Sequence, residues 1–382
     1  MTPAGSATRR LARDALIAIE GGGRANAVVA NLLADSRLAQ RDRALVTELV
    51  YGTCRRRRSC DWLVDRHIRR RPDQDIRAAL RLGAYQLGWT RIPAHAAVSA
   101  TVAAVDGPGR SMVNAVLRRV AAGLAAVPVA WPDAGTELSY PDWIVDRFAA
   151  ELGPEAGRAA LCVMNEPATL TTRADGYAQD RASQLVAAHV GVRPGERILD
   201  LCAAPGGKAT ALAGADPALV VAADISPARA AILAANAASL GAGSVATVVA
   251  DGTAPPWPAA SFDRVLVDAP SSGLGVLRRR PDARWRVAPG DVDRLAGLQR
   301  RLLTAAIPLV RPGGVLVYSV CTLTREETAG IDNWLARTNP ELSPLMPPRT
   351  PWTPKGRGAI LLPQAAGTDG MYVLAVRAPA VG

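Results

Sequence analysis

The residues best suited to chemistry form one short turn near the middle of the chain, directly after an apolar segment. Residues 197–201 predict a strand, and the alanines and leucine of residues 209–213 predict a helix. A Gly/Pro turn between a strand and a helix lets backbone amides face a small polar ligand. The spacing matches neither the Gly-x-Gly-x-x-Gly of a dinucleotide site nor a P-loop, in which Ser or Thr follows the lysine. The predicted ligand-binding turn comprises Cys202, Ala203, Ala204, Pro205, Gly206, Gly207 and Lys208.

Four acidic residues at the ends of predicted strands are the second chemical signal: Asp200, Asp224, Asp251 and Asp268. In open α/β sheets, ligands bind beyond the carboxyl ends of the strands. An acid 24 residues after Asp200 suits the two hydroxyls of a ribose, and an acid on the third strand can accept from an adenine amino group. Any one of these acids could instead cap a helix. Together they favour a ligand with a ribose, an adenine and a zwitterionic tail but no phosphate, which describes S-adenosylmethionine.

A cysteine ends the fifth predicted strand, level with Asp268. Cys321 could be a small buried hydrophobe, or a thiolate nucleophile for which Lys208 supplies a positive field. A methyltransferase needs a thiolate to modify C5 of a pyrimidine, because addition at C6 makes C5 able to attack a sulfonium methyl group. Asp268 would then hydrogen-bond the amino or ring-nitrogen edge of cytosine, and the base must be unstacked to be reached. The predicted catalytic residues are therefore Cys321, Asp268 and Lys208.

The elements that must position these residues alternate between strand and helix from about residue 165. This alternation predicts a mostly parallel, doubly wound sheet with a terminal hairpin, which is a Rossmann-like α/β fold. The predicted strands are Ile198–Leu201, Leu219–Ala223, Val245–Ala250, Arg264–Asp268 and Gly314–Ser319, with hairpin strands at Ala359–Leu362 and Met371–Arg377. The predicted helices are 207–214, 227–240 and 291–310.

The front of the chain is different, since residues 1–130 show helical periodicity and no clear strand alternation. Val113, Val116, Leu117 and Val120 form one apolar face, with Ser111 as a candidate cap. Residues 123–140, rich in Ala, Pro and Gly, predict a linker, and a short helix is expected at 143–148. We therefore expect three parts: an all-helical domain at 1–130, a linker and small pre-catalytic subdomain at 131–190, and a catalytic domain at 191–382.

Charge is concentrated in the helical front of the chain. Residues 1–130 hold 21 arginines against 10 carboxylates, which accounts for the whole net charge of +11. Clusters occur at 55–58 and 69–71, and arginine binds phosphate in a bidentate manner. A general arginine bias would not leave the other two thirds neutral. We therefore expect RNA or DNA as a partner of the front domain.

Composition excludes several other classes. No apolar run is long enough to span a membrane, and the first ten residues lack the apolar core of a secretory signal, so the cytoplasm is the expected compartment. The five cysteines and three histidines show no metal-site or disulfide spacing, so no metal is expected. Nothing indicates an obligate assembly, and a monomer is expected.

The chain resembles the bacterial ribosomal RNA cytosine-C5 methyltransferases of the Sun/Fmu (RsmB) family. The matching segments, in order, are Ser139–Trp143, Gln179–Gln184, Asp200–Lys208, Asp224–Ser226, Asp251–Gly252, Asp268–Pro270, Arg278–Trp285, Tyr318–Thr322 and Gly367–Gly370. The front of the chain also looks like a NusB-type RNA-binding domain, through Tyr51-Gly52 and Arg81–Leu87. The resemblance implies a class I S-adenosylmethionine-dependent fold and a cytosine in small-subunit (16S) rRNA as the substrate. It places the cofactor on the turn 202–208, Asp224, Asp251 and Asp268, and the nucleophile on Cys321.

The chain departs from this family at two places. The family usually has Pro-Cys-Ser-Gly after the fourth strand, where this chain has Pro270-Ser271-Ser272-Gly273. That cysteine is thought to assist release of the methylated RNA, so we expect methyl transfer to survive and either turnover to be slower or water or another group to take its role. Residues 170–173 read Leu-Thr-Thr-Arg instead of Leu-Arg-x-Asn, which leaves an RNA contact there unassigned. A tRNA cytosine methyltransferase and an RNA-binding protein with a degenerate enzyme half remain alternatives.

Overall fold

The computed structural model describes residues 5–380, so the ends of the predicted first and third domains, residues 1–4 and 381–382, lie outside the described residues. The chain forms two compact units. One comprises residues 1–146 together with 277–286, and the other comprises residues 147–276 and 287–382. A ten-residue segment from the second half of the sequence thus belongs to the helical unit. The three-part division at residues 130 and 190 stays a prediction.

The first unit is helical, as its periodicity predicts. Its helices are α1 (Ser6–Glu20), α2 (Ala25–Ala34), α3 (Gln40–Arg55), α4 (Arg57–Asp65), α5 (Gln74–Trp89), α6 (Ala94–Ala103), α7 (Gly109–Ala126) and α8 (Ala134–Leu138). The glycines at 21–23 end α1, and the turn at 104–108 separates α6 from α7. The predicted apolar face of α7 is buried, from Val113 to Val120. Burial of such side chains stabilises the fold by about 1.5–3 kcal/mol each.

Two local predictions for this unit are wrong. Helix α7 begins at Gly109 with Pro108 as the N-cap residue, so Ser111 lies inside the first turn and bonds the Pro108 carbonyl instead of capping. Residues 123–140 are not a plain linker, because α7 continues to Ala126 and α8 occupies Ala134–Leu138. Helix α8 is capped by Asp133, whose carboxylate accepts from the Thr136 amide at 2.6 Å. Composition alone could not show these contacts.

The inserted segment is held inside the helical unit by an arginine. Arg284 is fully buried, and its guanidinium lies 3.7 Å from the ring centre of Tyr140. It donates to the carbonyls of Arg55 (3.2 Å) and Ser139 (3.1 Å). Burial lowers the pKa of Arg284 to about 10. In the same segment, Asp282 accepts from the Ala25 amide at the start of α2.

The second unit is a sheet with helices on its connections. Helix α9 (Asp142–Leu152) begins in the first unit and ends in the second. The other elements are α10 (Pro154–Val163), α11 (Arg181–Val190), β1 (Arg197–Asp200), α12 (Gly207–Ala213), β2 (Leu219–Asp224), α13 (Pro227–Ser239), β3 (Val245–Val249), β4 (Phe262–Asp268), α14 (Pro289–Ala306), β5 (Val310–Val320), α15 (Ala329–Thr338), β6 (Ser343–Pro344), β7 (Thr353–Lys355), β8 (Gly358–Leu361), α16 (Pro363–Ala366) and β9 (Met371–Arg377).

The strand order is β3-β2-β1-β4-β5-β9-β8-β7, with β6 paired to β9. Strands β1 to β5 pair in parallel, and β9 runs antiparallel to β5 and to β8. The predicted doubly wound sheet and terminal hairpin are therefore confirmed. The sheet core contains the apolar residues of β1, β2, β4 and β5, which read as near-continuous hydrophobic runs because both faces are covered. Within residues 5–380, no helix combines the length and hydropathy that crossing a bilayer requires.

Candidate active site

The predicted chemical residues converge at one edge of the sheet, because parallel strands end together. Asp200 and Asp224 are the last residues of β1 and β2, and Asp268 is the last residue of β4. Asp268 lies beside Ser319 in the register of β4 and β5, and Cys321 follows β5 directly. The parallel arrangement of these strands therefore brings carboxylates, a lysine and a thiol to one edge of the sheet.

The turn between β1 and α12 is tight, and glycine is needed within it. Gly206 has φ +103°, a conformation that side-chain-bearing residues rarely adopt. A Cβ at this position would also lie 3.1 Å from the Leu233 side chain. The Ala203 amide donates to the Ala223 carbonyl at 2.7 Å, which ties the turn to the end of β2. The Cys202–Lys208 segment is thus held between two strand ends.

Asp200 is the most unusual carboxyl group in this unit. It is fully buried, and neither of its oxygens accepts a hydrogen bond of ordinary geometry. Burial raises the pKa of Asp200 to about 7, and the nearby Asp268 carboxylate adds to the rise. Lys208 and the Cys202 amide oppose it. A buried carboxylate that accepts no hydrogen bond of ordinary geometry is costly, so this site is suited to a ligand that brings a cationic donor.

The next two predicted acids have different surroundings. Asp224 is buried, accepts from the Ser226 amide at 3.0 Å, and lies 3.3 Å from the Arg229 guanidinium. Asp251 lies two residues beyond β3 and is exposed. Its carboxylate accepts hydrogen bonds from the amide and the hydroxyl of Thr253, each at 2.8 Å. The hydrogen bond from the Thr253 amide lowers the pKa of Asp251. Their predicted contacts with a ribose and an adenine stay predictions.

Asp268 and Lys208 form an ion pair. Lys208 Nζ lies 2.6 Å from one Asp268 oxygen, and the Ser319 hydroxyl donates to the other oxygen at 2.6 Å. The lysine is largely buried and the aspartate partly exposed. The pair fixes both side chains, so a charge that approaches Asp268 also meets the ammonium of Lys208.

The thiol of Cys321 faces a serine. Ser271 Oγ lies 3.2 Å from Cys321 Sγ, and the thiol is partly accessible. The Gly275 amide donates to the Cys321 carbonyl at 3.0 Å, and the Gly370 amide donates to the Gly275 carbonyl at 2.8 Å. A Cβ on Gly275 would lie 2.1 Å from the Gly370 oxygen, so this close approach requires glycine. Through Gly275, the Gly367–Gly370 motif therefore positions the backbone of Cys321.

Sequence reasoning missed the buried carboxylate of Glu327. Glu327 is fully buried, and its oxygens accept four hydrogen bonds from Ser272, Gln299 and Thr324. In the sequence it is one of two adjacent glutamates in a polar stretch, a pattern typical of a solvent-exposed turn. Only the tertiary contacts distinguish it from Glu326.

The other cysteines are poor candidates for a nucleophile. Cys54 and Cys60 lie in the core of the helical unit, and burial raises the pKa of Cys54 to about 12. Burial also raises the pKa of Cys202 well above its usual range. Cys162 is exposed on α10. Among the described residues, no group of three or more His, Cys, Asp or Glu side chains is arranged to hold a metal ion.

The two arginine clusters of the helical unit have different environments. In residues 55–58 the side chains take part in structural contacts: Arg58 pairs with Asp133 and Asp142, and Arg57 lies over Trp285. In residues 69–71 all three arginines are exposed. The second cluster is therefore the better candidate for phosphate contacts.

The fold and site define a class I methyltransferase unit combined with a helical NusB-like unit. The sequence profile of the family described as "16S rRNA methyltransferase RsmB/F" matches residues 187–377, and that of the NusB family matches residues 6–122. The chain belongs to the RsmB/F family of S-adenosylmethionine-dependent rRNA methyltransferases. The predicted family, fold class and cofactor are confirmed.

Relatives match over most of their length. The chain is 38% identical to "Putative methyltransferase Rv1407" of Mycobacterium tuberculosis, over 92% of each chain. It is 36% identical to "Ribosomal RNA small subunit methyltransferase B" of Thermus thermophilus, over 97% of each chain. The solved structure of PH0851 superposes with a TM-score of 0.80 at 19% identity, covering 98% of this chain and 99% of that one, and shows the same fold.

Proposed function

We propose that this chain methylates C5 of a cytosine in 16S rRNA, through a transient bond between Cys321 Sγ and C6 of the base. The observation that carries the proposal is the constellation at the ends of β4 and β5. A partly accessible thiol lies 3.2 Å from the Ser271 hydroxyl, and the Asp268–Lys208 pair follows the neighbouring strand. Methyl transfer to oxygen or to an exocyclic nitrogen would require no such thiol.

The residues of the site fit S-adenosylmethionine. The buried carboxyl of Asp200, which accepts no hydrogen bond of ordinary geometry, matches the ammonium group of the methionine moiety, which would supply donors and a positive charge. Asp224 and Asp251 offer carboxylates for the ribose hydroxyls and the adenine amino group. The turn at residues 202–208 brings backbone close to the ligand. When bound, the cofactor supplies an electrophilic methyl group on a sulfonium.

The reaction begins with Cys321 as a thiolate. Its sulfur forms a bond to C6 of cytosine, and the electrons of the C5=C6 bond move toward the N3 edge of the ring. N3 takes a proton from solvent as these electrons arrive, and the Asp268 carboxylate, held in place by Lys208, accepts a hydrogen bond from the resulting N3–H in the proposed complex. C5 would then be able to accept the methyl group that the bound cofactor supplies, and N3 would give its proton back as the C4=N3 bond re-forms. A thiolate can only accept a hydrogen bond. Once the Cys321 thiol is ionised, the Ser271 hydroxyl must therefore be the donor in the contact between them.

Release of the product requires loss of the C5 proton. A base removes that proton, the C5=C6 bond re-forms, and the C6–S bond breaks to return the thiolate. In this chain Ser271 occupies the position where the family usually has a second cysteine. A serine is a weaker base than a thiolate, so we expect this step to limit turnover.

The helical unit supports an RNA substrate. It carries the whole net charge of +11, and its exposed Arg69–Arg71 cluster is suited to phosphates. The relative named as a small-subunit methyltransferase aligns over 97% of this chain, which favours 16S rRNA. Chemical sequencing of 5-methylcytosine in total RNA from a deletion strain tests this choice. Loss of a methylcytosine from tRNA alone would favour the alternative substrate.

The decisive variant is Cys321→Ala. It should abolish transfer of a labelled methyl group to RNA while the affinity for S-adenosylmethionine measured by calorimetry changes little, because the thiol acts on the base. Cys162→Ala, an exposed cysteine of the same unit, is the matched control and should retain activity. Undiminished methylation by Cys321→Ala refutes the covalent mechanism. A native chain that does not bind the cofactor supports an RNA-binding protein with a degenerate enzyme half.

A further inference from the structure

We propose that Glu327 is a positioning residue that sets the contact between the Ser271 hydroxyl and the Cys321 thiol. The inference rests on the proposed role of Cys321 as the nucleophile. Glu327 lies in the loop that follows Cys321, and its carboxylate binds the loop that follows β4. It therefore joins the two loops that carry the reacting groups. Glu327 takes no part in the proposed steps of methyl transfer or product release.

Four donors surround this carboxylate. One oxygen accepts from the Ser272 amide and from Gln299 Nε2, each at 2.9 Å. The other accepts from the Ser272 hydroxyl at 2.6 Å and from the Thr324 hydroxyl at 2.9 Å. Four donors to two oxygens form the partner set of an ionised carboxylate, and such bonds are about twice as strong as neutral ones. The loops are thus held by charge-assisted bonds in a buried site.

The direction of the next hydrogen bond follows from this arrangement. The Ser272 hydroxyl gives its only proton to Glu327, so in its 2.9 Å contact with Thr322 it must accept. The Thr322 hydroxyl therefore donates to Ser272. Ser272 is next to Ser271 in the chain, and Thr322 is next to Cys321. One carboxylate thus orders a pair of hydroxyls that lie one residue away from the Ser271–Cys321 pair.

Further bonds hold the same two loops. Gln299 also donates to the Pro270 carbonyl at 3.0 Å. The buried Tyr318 hydroxyl lies 2.9 Å from Gln299 Oε1 and 2.8 Å from the Glu327 carbonyl. Burial and the Glu327 charge raise the pKa of Tyr318 well above its usual range, so this hydroxyl stays a donor. The network therefore contacts the backbone of both loops.

Glu327→Gln is the test variant, because it keeps the volume of the side chain while replacing one acceptor oxygen by a donor. The Ser272 and Thr324 hydroxyls would have to reverse, and the bonds become neutral. We expect the single-turnover rate of methyl transfer to fall about tenfold and the KM values for cofactor and RNA to change less than about twofold. Iodoacetamide alkylation of Cys321, resolved by mass spectrometry of its peptide, should slow by about threefold to tenfold, since the thiolate loses an ordered donor. Glu326→Gln, whose partly exposed side chain pairs with Arg147, is the matched control and should change neither rate.

A double-mutant cycle separates positioning from general stability. If Glu327 acts through Ser271, then Glu327→Gln should slow alkylation of Cys321 in the native background and add little in a Ser271→Ala background. A folded Glu327→Ala variant should show a larger loss with the same coupling. Fully additive effects, an unchanged alkylation rate in Glu327→Gln, or an equal loss of cofactor affinity would overturn the proposal. Alkylation does not require methyl transfer, so failure of the Cys321→Ala test above would be distinguishable from failure here.

Discussion

Replacing Asp200 by asparagine should make the chain more stable at pH 8 and weaken its binding of S-adenosylmethionine. Asp200 is fully buried at the end of β1 and neither of its oxygens accepts a hydrogen bond of ordinary geometry, so its negative charge destabilises the unliganded fold. Asparagine has nearly the same shape and carries no charge. A stabilising substitution at a strand end facing a ligand is the signature of a group retained for binding.

The magnitude follows from the pKa of Asp200, which rises from about 3.8 to about 7 mainly because of burial. At about 1.36 kcal/mol per pH unit, the ionised group costs about 4 kcal/mol at pH 8. The side-chain amide of a buried asparagine at this position would also lack hydrogen-bond partners, at a cost of about 1–3 kcal/mol. We expect Asp200→Asn to stabilise the unliganded chain by about 1–3 kcal/mol at pH 8.

The pH dependence gives a sharper number, since the asparagine penalty cancels. Between pH 3.8 and 7 the folded state holds a proton that the unfolded state has lost, so the contribution of Asp200 to stability falls as pH rises and levels off above 7. At pH 5 the carboxyl of Asp200 is still protonated in the folded state, so most of the destabilisation caused by its buried charge is absent. The stabilising effect of Asp200→Asn should therefore be about 3 kcal/mol larger at pH 8 than at pH 5.

Urea unfolding at the two pH values measures this difference, and calorimetry measures cofactor affinity. Asp216→Asn, an exposed acid of the same unit at φ +56°, is the control and should show no such difference. Without the carboxylate that is proposed to bind the ammonium group of S-adenosylmethionine, Asp200→Asn should bind the cofactor about a hundredfold more weakly, as expected for the loss of a charge-assisted bond. A stabilising effect of Asp200→Asn that is equal at pH 5 and pH 8, together with unchanged cofactor affinity, would show that Asp200 is neither a costly buried charge nor a cofactor ligand.

Three further predictions concern turnover, the inserted segment and RNA binding. Ser271→Cys should raise the multiple-turnover rate, because a thiolate is the better base for product release; equal multiple-turnover rates would show that the serine is no handicap. Arg284→Met removes bonds to two buried carbonyls and the stack on Tyr140, and should lower the free energy of unfolding by about 2–4 kcal/mol in a denaturant titration; an unchanged midpoint would contradict this account. Replacing Arg69–Arg71 by alanine should reduce the slope of log affinity for RNA against log salt by about 2, at about 0.7 for each phosphate that is no longer neutralised, and an unchanged slope would exclude that cluster from the interface.

Much of the architecture could be predicted from local pattern. The five parallel strands lie within a few residues of their predicted places, because apolar runs between Gly/Pro turns define buried strands. The hairpin strand Met371–Arg377 has its predicted bounds. Three of the four acids end their strands, and the chain order of parallel strands is enough to bring them to one edge. Errors occurred where composition replaced periodicity, as at residues 123–140.

The environment of each side chain was decided by tertiary structure. Glu326 and Glu327 are neighbours of one type, and only folding makes the first a partly exposed ion-pair partner and the second a buried acceptor of four bonds. The arginines at 55–58 and at 69–71 look alike in sequence, yet the first group takes part in structural contacts while the second is exposed. Periodicity reports which face of an element is apolar, whereas the partner of a polar group depends on contacts between residues far apart in the chain. The amino-acid sequence therefore determined the elements, the family and the chemistry available. The tertiary structure determined which carboxylates are paired, which one is buried without a hydrogen bond of ordinary geometry, and what faces the thiol.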